Sequence, residues 1–264
     1  MRQVSTMPEV AVAGVYFSGS TTIPIGFREF LNPIELMEQS DAVLIMSDKS
    51  ISSDLLKMIL RKSKHVYLKT IPNVNIREIK ELIDLEKEAG IVNFIFNPFG
   101  FIPQFDPFFN KYENPLLINL RTSFDPSFSK PANEMLLLVT ALNRVIQNNY
   151  KKTEVLGLND PHGQLIVNIR VEYENSSVVN LTISKEKTSG YCEIFNAGGI
   201  TKFEFNKPLY AAYLSMDQEF TAISNFIHTI HLHDKPVNTF VNLLDGLRIV
   251  NEISEHLRFN EIQF

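Results

Sequence analysis

The sequence predicts two joined architectures: an α/β domain built on a parallel sheet, then an α+β domain with an open antiparallel sheet. Three observations carry that expectation. From Ser40 to Pro107, apolar runs alternate with helical patterns as strand, helix, strand, helix, strand, the signature of βαβ units. From Lys152 to Phe205, short alternating runs are separated by turn signals, which reads as a meander of antiparallel strands. Between these regions Pro98, Gly100, Pro103 and Pro107 punctuate an aromatic-rich crossover, FNPFGFIPQFDPFF. The expected domain boundary lies there, dividing residues 1–98 from 99–264.

Glu9–Phe17 is rich in Val and Ala and reads as a buried strand. Ser18–Thr22 reads as a polar loop, and Pro24–Glu29 as a short strand or an extended connection. Asn32-Pro33 is a helix start, with Pro at the first helical position and Glu35 in the first turn. The helix over Ile34–Gln39 leads into a strand over Asp41–Met46. Ser53–Leu60 has helical spacing, and His65–Leu68 is apolar again. Ile76–Ala89 carries full start and stop signals. Asn75 can cap, Glu78 can complete a capping box, and Gly90 follows the last turn. Its Ile76, Ile79, Leu82, Ile83 and Ala89 form one face, while Glu81, Asp84, Glu86, Lys87 and Glu88 read as a solvated face. Ile91–Phe96 is the third apolar run.

In the second half Leu116–Thr122 is a strand, Pro126–Pro131 a loop and Asn133–Gln147 a helix whose Met135, Leu138, Val139, Leu142 and Ile146 share a face. Strands follow over Glu154–Leu158, Gln164–Tyr173, Ser177–Ser184, Tyr191–Asn196 and Ile200–Phe205. In the second of these, Leu165, Val167, Ile169 and Val171 alternate with Ile166, Asn168, Arg170 and Glu172, implying one covered face and one polar face. Helices over Asp217–His231 and Asn242–Leu257 close the chain, broken by Asp234-Lys235-Pro236.

The bulk properties exclude several classes. A net charge of −5 over 264 residues argues against nucleic acid bound through a broad basic surface. No apolar run approaches the roughly 20 residues that span a bilayer, and the N-terminus is a poor signal peptide. The single cysteine, Cys192, allows no intrachain disulfide and suits the cytoplasm. It reads as a buried structural thiol.

Few residues suggest chemistry on their own. His228, His231 and His233 form HxxHxH at a helix end, better explained by the helix dipole than by a metal, and no metal site is expected. His65 lies within a strand and His162 in a turn. Ligands of parallel sheets bind outside the carboxyl ends of the strands. The candidate cleft is therefore Ser47, Asp48, Lys49, Lys69 and Asn97.

A resemblance adds to this reading. Asp41–Ile45, Ser53–Leu60 and Lys64-His65-Val66 are similar to the DAVxIaTP…AleAGKHVxxEKP segment of the Gfo/Idh/MocA oxidoreductases, the glucose–fructose oxidoreductase and inositol dehydrogenase group. Phe105-Asp106-Pro107 resembles that family's RFDP crossover, and Asn114–Leu120 its entry into the second domain. YCEIFNAGGI (191–200) resembles its iyGtkGt hairpin, and Pro236–Glu255, with Asp245-Gly246-Leu247-Arg248, its closing segment, a proline before a DGLRxxxI helix. The similarity spans roughly 41–258. It implies a Rossmann-like parallel-sheet domain, an NAD or NADP cofactor, sugar-type substrates and a subunit interface on the open sheet.

The departures from the family pattern are as informative. Gly14-Val15-Tyr16-Phe17-Ser18-Gly19 does not match GxGxxG, so the chain reads as truncated, lacking the glycine-rich first βα unit. Thr70 stands where the family has its active-site lysine, with Lys69 one residue away. Ser47-Asp48 replaces the TP of the phosphate-side loop, and an Asp there repels a pyrophosphate. Leu137 and Ala141 occupy the positions of the family's Asp and His, and neither can move a proton. The expectation is a degenerate member without cofactor or catalytic residues, acting in binding or assembly. A homodimer through the C-terminal antiparallel sheet, on the face of Ile166, Arg170 and Tyr173 or its opposite, or a heteromer with a full-length member, is expected. The alternatives are an NAD(P)-dependent oxidoreductase of a sugar with an atypical cofactor site, and a small-ligand sensor.

Overall fold

A computed structural model describes residues 4–17, 26–47, 49, 51–109, 116–123, 131–159, 165–184, 189–205, 216–233 and 238–259. The loop residues 126–130, the break at Asp234–Pro236, His162, Asp48, Ser18–Thr22 and residues 110–115 and 185–188 lie outside them. The chain divides into two compact units, Met1–Phe96 with Met216–Phe240, and Asn97–Ser215 with Val241–Phe264.

The first unit holds a three-stranded parallel sheet in the order β1 (Ala42–Ile45), β2 (His65–Leu68), β3 (Asn93–Ile95). Helix α1 (Pro33–Glu38) begins at Asn32, whose side chain accepts the Ile34 N–H. Helix α2 (Ser53–Arg61) is capped by Ser52 and buries Leu56, Ile59 and Leu60. Helix α3 (Ile76–Ala89) has the expected capping box, in which Asn75 accepts from the Glu78 N–H and Glu78 accepts from the Asn75 N–H. It ends at Gly90 with φ of 63°, a left-handed position that glycine occupies without Cβ strain. Ile79, Leu82 and Ile83 are its buried positions.

Glu9–Phe17 is not a strand. Val15 alone makes an isolated bridge, to Glu29; its N–H donates to Arg28 O and its carbonyl accepts from the Phe30 N–H, both at 2.8 Å. A strand exists only where a partner continues the ladder. Here the pairing stops after one step and Val15 is the single buried residue of the run.

Helix α6 (Met216–Leu232) belongs to the first unit. Its Phe226 ring lies 5.9 Å from Tyr67 of β2 and 6.5 Å from Phe94 of β3, and Tyr67 stacks on Phe94 at 5.7 Å. Tyr67 and Val66 point to opposite faces of the strand by alternation, so the sheet is covered on both faces, as a parallel sheet requires. A division after residue 98 assigns α6 to the second domain; its aromatic contacts are with the first sheet.

The second unit contains α4 (Asp106–Phe109), α5 (Pro131–Ile146) and a six-stranded sheet. The sheet order is β5 (Tyr150–Asn159), β6 (Leu165–Tyr173), β7 (Val178–Ser184), β4 (Leu117–Ser123), β8 (Gly190–Asn196), β9 (Gly199–Phe205). The meander is interrupted: β4 inserts between β7 and β8, parallel to β7 and antiparallel to β8. With Ile118 and Leu120 almost wholly buried, β4 gains most from a central place, where both its edges are paired. Tyr173 is buried with Val167, Ile169 and Val171, and its hydroxyl donates to Asn143 Oδ1 of α5 at 2.5 Å. It therefore faces away from Ile166 and Arg170, correcting the grouping of these three residues on one face. Helix α7 (Phe240–Phe259) passes α5 closely at Gly246. A Cβ there would lie 2.5 Å from Thr140 Oγ1.

Candidate functional site

The carboxyl ends of the first unit's strands bring Ser47, Lys49, Lys69 and Thr70 together. Ser47 Oγ accepts the Lys49 N–H at 3.0 Å, tightening the turn after β1. Thr70 donates its hydroxyl to Ser47 O at 3.2 Å and to Lys49 O at 3.3 Å. Further along, the Asn73 N–H donates to Ile51 O at 2.9 Å. The loops after β1 and β2 are thus tied to each other by hydrogen bonds, with Thr70 as the side-chain link. Asp48, expected at this end, lies outside the described residues.

The helices that start here supply their own anions. Asp54 sits in the first turn of α2. At the start of α3, Glu78 accepts the Asn75 N–H at 2.9 Å and the Ser53 hydroxyl at 2.7 Å. The Asn75 N–H, then the Ser53 hydroxyl, hold the Glu78 carboxyl below its ordinary range. A carboxylate in the first turn complements the positive end of the helix dipole, the feature that otherwise attracts phosphate.

Lys69 reaches across to α6, where its Nζ lies 3.7 Å from Glu219 Oε2. This partner was missing from the sequence reading. The available signal was spacing: Glu219, Ala222, Ile223 and Phe226 recur as i, i+3, i+4, i+7 on one helical face, and the last three are buried. Tyr67 shares its face of β2 with Lys69 by alternation. Its ring is fully buried and its hydroxyl has no hydrogen-bond partner among the described residues. Burial, with the Glu219 charge second, pushes the phenol above its ordinary range.

Asn97 belongs to the second unit. It is 1% exposed; its Oδ1 accepts the Phe99 N–H at 3.1 Å and its Nδ2 donates to Leu137 O at 2.8 Å. Its carboxamide caps the 3₁₀ turn Pro98–Phe101 and braces α5. Leu137 and Ala141 are buried core positions of α5.

The other singled-out residues have structural roles or lie at the surface. His65 Nδ1 accepts the Val92 N–H at 2.8 Å, which places the neutral ring's proton on Nε2. Burial lowers its pKa. His228, His231 and His233 are exposed, and no group of three or more His, Cys, Asp or Glu among the described residues is placed to hold a metal. Cys192 is fully buried, and burial pushes its thiol well above the ordinary range. Among the described residues, no helix is long and apolar enough to cross a membrane.

A Rossmann-like parallel-sheet domain followed by an α+β domain with a large open sheet is the fold of the Gfo/Idh/MocA-type dehydrogenases. The chain aligns with a candidate myo-inositol dehydrogenase from Sinorhizobium meliloti 1021 at a TM-score of 0.72 and 13% identity, covering 97% of this chain and 93% of that one. A dehydrogenase (MviM) from Clostridium difficile aligns at 0.67 and 16% identity, covering 87% and 84%. The UDP-N-acetylglucosamine 3-dehydrogenase GnnA from Acidithiobacillus ferrooxidans aligns at 0.66 and 14% identity, covering 86% and 82%. At these identities the likeness is one of fold. No family model matches the chain. No curated protein matches it in sequence.

Proposed function

We propose that this chain is an oxidoreductase-like protein that does not bind NAD(P) or transfer hydride, and that it serves as a binding or assembly component. The observation that carries this reading is the hydroxyl of Thr70 donating to the carbonyls of Ser47 and Lys49. At the place where the resemblance puts an active-site lysine, the side chain is engaged in closing two loops. The groups present do not fit a pyrophosphate either: the adjacent helix starts carry Asp54 and Glu78, and a second anion there meets repulsion rather than a free dipole. Leu137 and Ala141 supply no acid or base.

Calorimetric titration with NAD and with NADP tests the reading directly. The expected result is no saturable heat up to millimolar cofactor. Saturable binding in the micromolar range overturns it.

One observation favours a second reading, an NAD(P)-dependent oxidoreductase of a sugar derivative with an atypical site. Lys69 and Glu219 form a cation–carboxylate pair at the carboxyl end of β2, and such a pair is able to exchange a proton with a substrate hydroxyl. The GnnA likeness points to a nucleotide-sugar as the first substrate to assay under that reading. The assembly role is proposed to run through the open face of the six-stranded sheet, against a second copy of this chain.

A further inference from the structure

We propose that the outer edge of β1 pairs antiparallel with the same edge of a second copy, with Leu44 of each chain on the two-fold axis. This contact goes beyond the assembly reading above and does not depend on it, since β1 lies in the first unit and the six-stranded sheet in the second.

The backbone phase sets which groups face outward. The carbonyls of Asp41 and Ile45 accept the N–H groups of His65 and Lys69, both at 3.0 Å. By the alternation of a strand, Ala42, Leu44 and Met46 turn their N–H and C=O groups the other way. Among the described residues, no backbone group bonds to these three on that side.

A free edge is a template for another strand, and folded proteins blunt it with charge, bulges or cover. The other sheet edges carry such devices. Strand β5 has Lys151 and Lys152 and a bulge between Tyr150 and Lys152. Strand β9 has Lys202 and Glu204, both exposed. At β3 the outward Ile95 N–H is taken by Asn238 O. The β1 edge has no charge and no bulge. Residues 42–46 (AVLIM) are an uninterrupted apolar run, half-buried throughout, whereas Val66, Tyr67 and Leu68 beside them are fully buried.

The side chains fit a second copy and select its register. The apolar run is bounded by Asp41 and Ser47, both exposed. With Leu44 opposite Leu44 of the other copy, Ala42 meets Met46, Val43 meets Ile45 and Asp41 meets Ser47. Every apolar residue faces an apolar one, and the polar ends face each other. Ala42, Leu44 and Met46 each exchange both backbone hydrogen bonds with the residue opposite. Moving the axis to Val43 sets Asp41 against Ile45, and moving it to Ile45 sets Ser47 against Val43. Either shift presses a polar side chain onto an apolar one.

The test is molar mass by sedimentation equilibrium, with circular dichroism as the check on folding. Leu44→Pro removes an N–H that makes no bond within its own sheet, and Ala42→Lys sets a charge on the edge. Each is expected to halve the molar mass of the wild-type assembly. That readout is the same whether or not the open face of the six-stranded sheet also associates, so the two contacts fail separately. Should Leu44→Pro lose its structure, Ala42→Lys decides. Oxidative cross-linking reads the register, with the native Cys192 fully buried. In the proposed register the two Leu44 Cα atoms lie about 5.5 Å apart, within disulfide reach, and the two Val43 Cα atoms about 7–8 Å apart, outside it. Leu44→Cys is expected to cross-link two copies and Val43→Cys is not. Cross-linking of Val43→Cys alone, or of neither variant, overturns the register. An unchanged mass in the folded variants, or a monomeric wild-type chain, overturns the pairing itself.

Discussion

Asn93 Oδ1 accepts the backbone N–H of Phe240 at 2.9 Å, across 147 residues of sequence. Asn93 opens β3 and is fully buried; Phe240 opens α7 and is fully buried. Two residues away, the Ile95 N–H donates to Asn238 O at 2.8 Å. A buried N–H has no water to fall back on, so the Asn93 carboxamide is the group that lets this segment lie against the sheet. Asn93→Ala strands that donor and is expected to cost about 1–3 kcal/mol. Urea unfolding with an unchanged m-value checks it; a loss below about 0.5 kcal/mol contradicts it.

Glu86, on the last turns of α3, makes stability depend on pH. Its Oε2 is buried without a hydrogen-bond partner among the described residues. Burial pushes its carboxyl up from 4.5 to about 7, while the Asn93 amide and Lys87 act in the opposite sense. Asn93 Nδ2 is itself buried and without a partner among the described residues, so that amide acts as a nearby dipole rather than through a formed hydrogen bond. Between about 4.5 and 7 the folded chain holds a proton that the unfolded chain has released. The contribution is full below about 4.5 and is lost as pH rises through about 7. Glu86→Gln removes the ionisation. It is expected to stabilise the protein at pH 8 and to be nearly silent at pH 5, as read from thermal unfolding at both.

Gly246 marks where α7 crosses α5. A Cβ would meet Thr140 Oγ1 at 2.5 Å and Leu136 Cδ1 at 2.9 Å. Thr140 is buried and its hydroxyl donates to Leu136 O at 2.7 Å, so neither neighbour can yield freely. Gly246→Ala is expected to destabilise by about 1–3 kcal/mol through overpacking, despite the better helix propensity of alanine. In a double-mutant cycle Thr140→Ala should recover part of that loss. Simple additivity would mean the crowding lies elsewhere.

Cys192 is central to β8, opposite Leu120 on one side and Phe203 on the other. Burial is the larger cause of its raised pKa and the Glu193 charge the smaller. The thiolate is the reactive form, so Ellman's reagent is expected to label the native protein only as fast as it unfolds. Labelling at the rate of the denatured chain would place the thiol at the surface.

What the sequence determined by itself was everything that local periodicity and end chemistry control. The Asn75–Glu78 capping box and Gly90 bound α3 at Ile76–Ala89, and the apolar run His65–Leu68 is β2. Those signals work because a helix cap or an alternating face is complete within a few residues. Three features were left to the tertiary structure: β4 lies between β7 and β8, α6 returns to the first sheet, and Glu219 stands opposite Lys69. Helical spacing puts Glu219 on the face of Phe226, but no local pattern names the partner in any of the three, because each depends on which buried faces meet across a long stretch of chain. The failure at Glu9–Phe17 has the same cause in reverse. A Val- and Ala-rich run satisfies the local pattern for a strand, but only a partner that continues past Val15 and Glu29 would make it one.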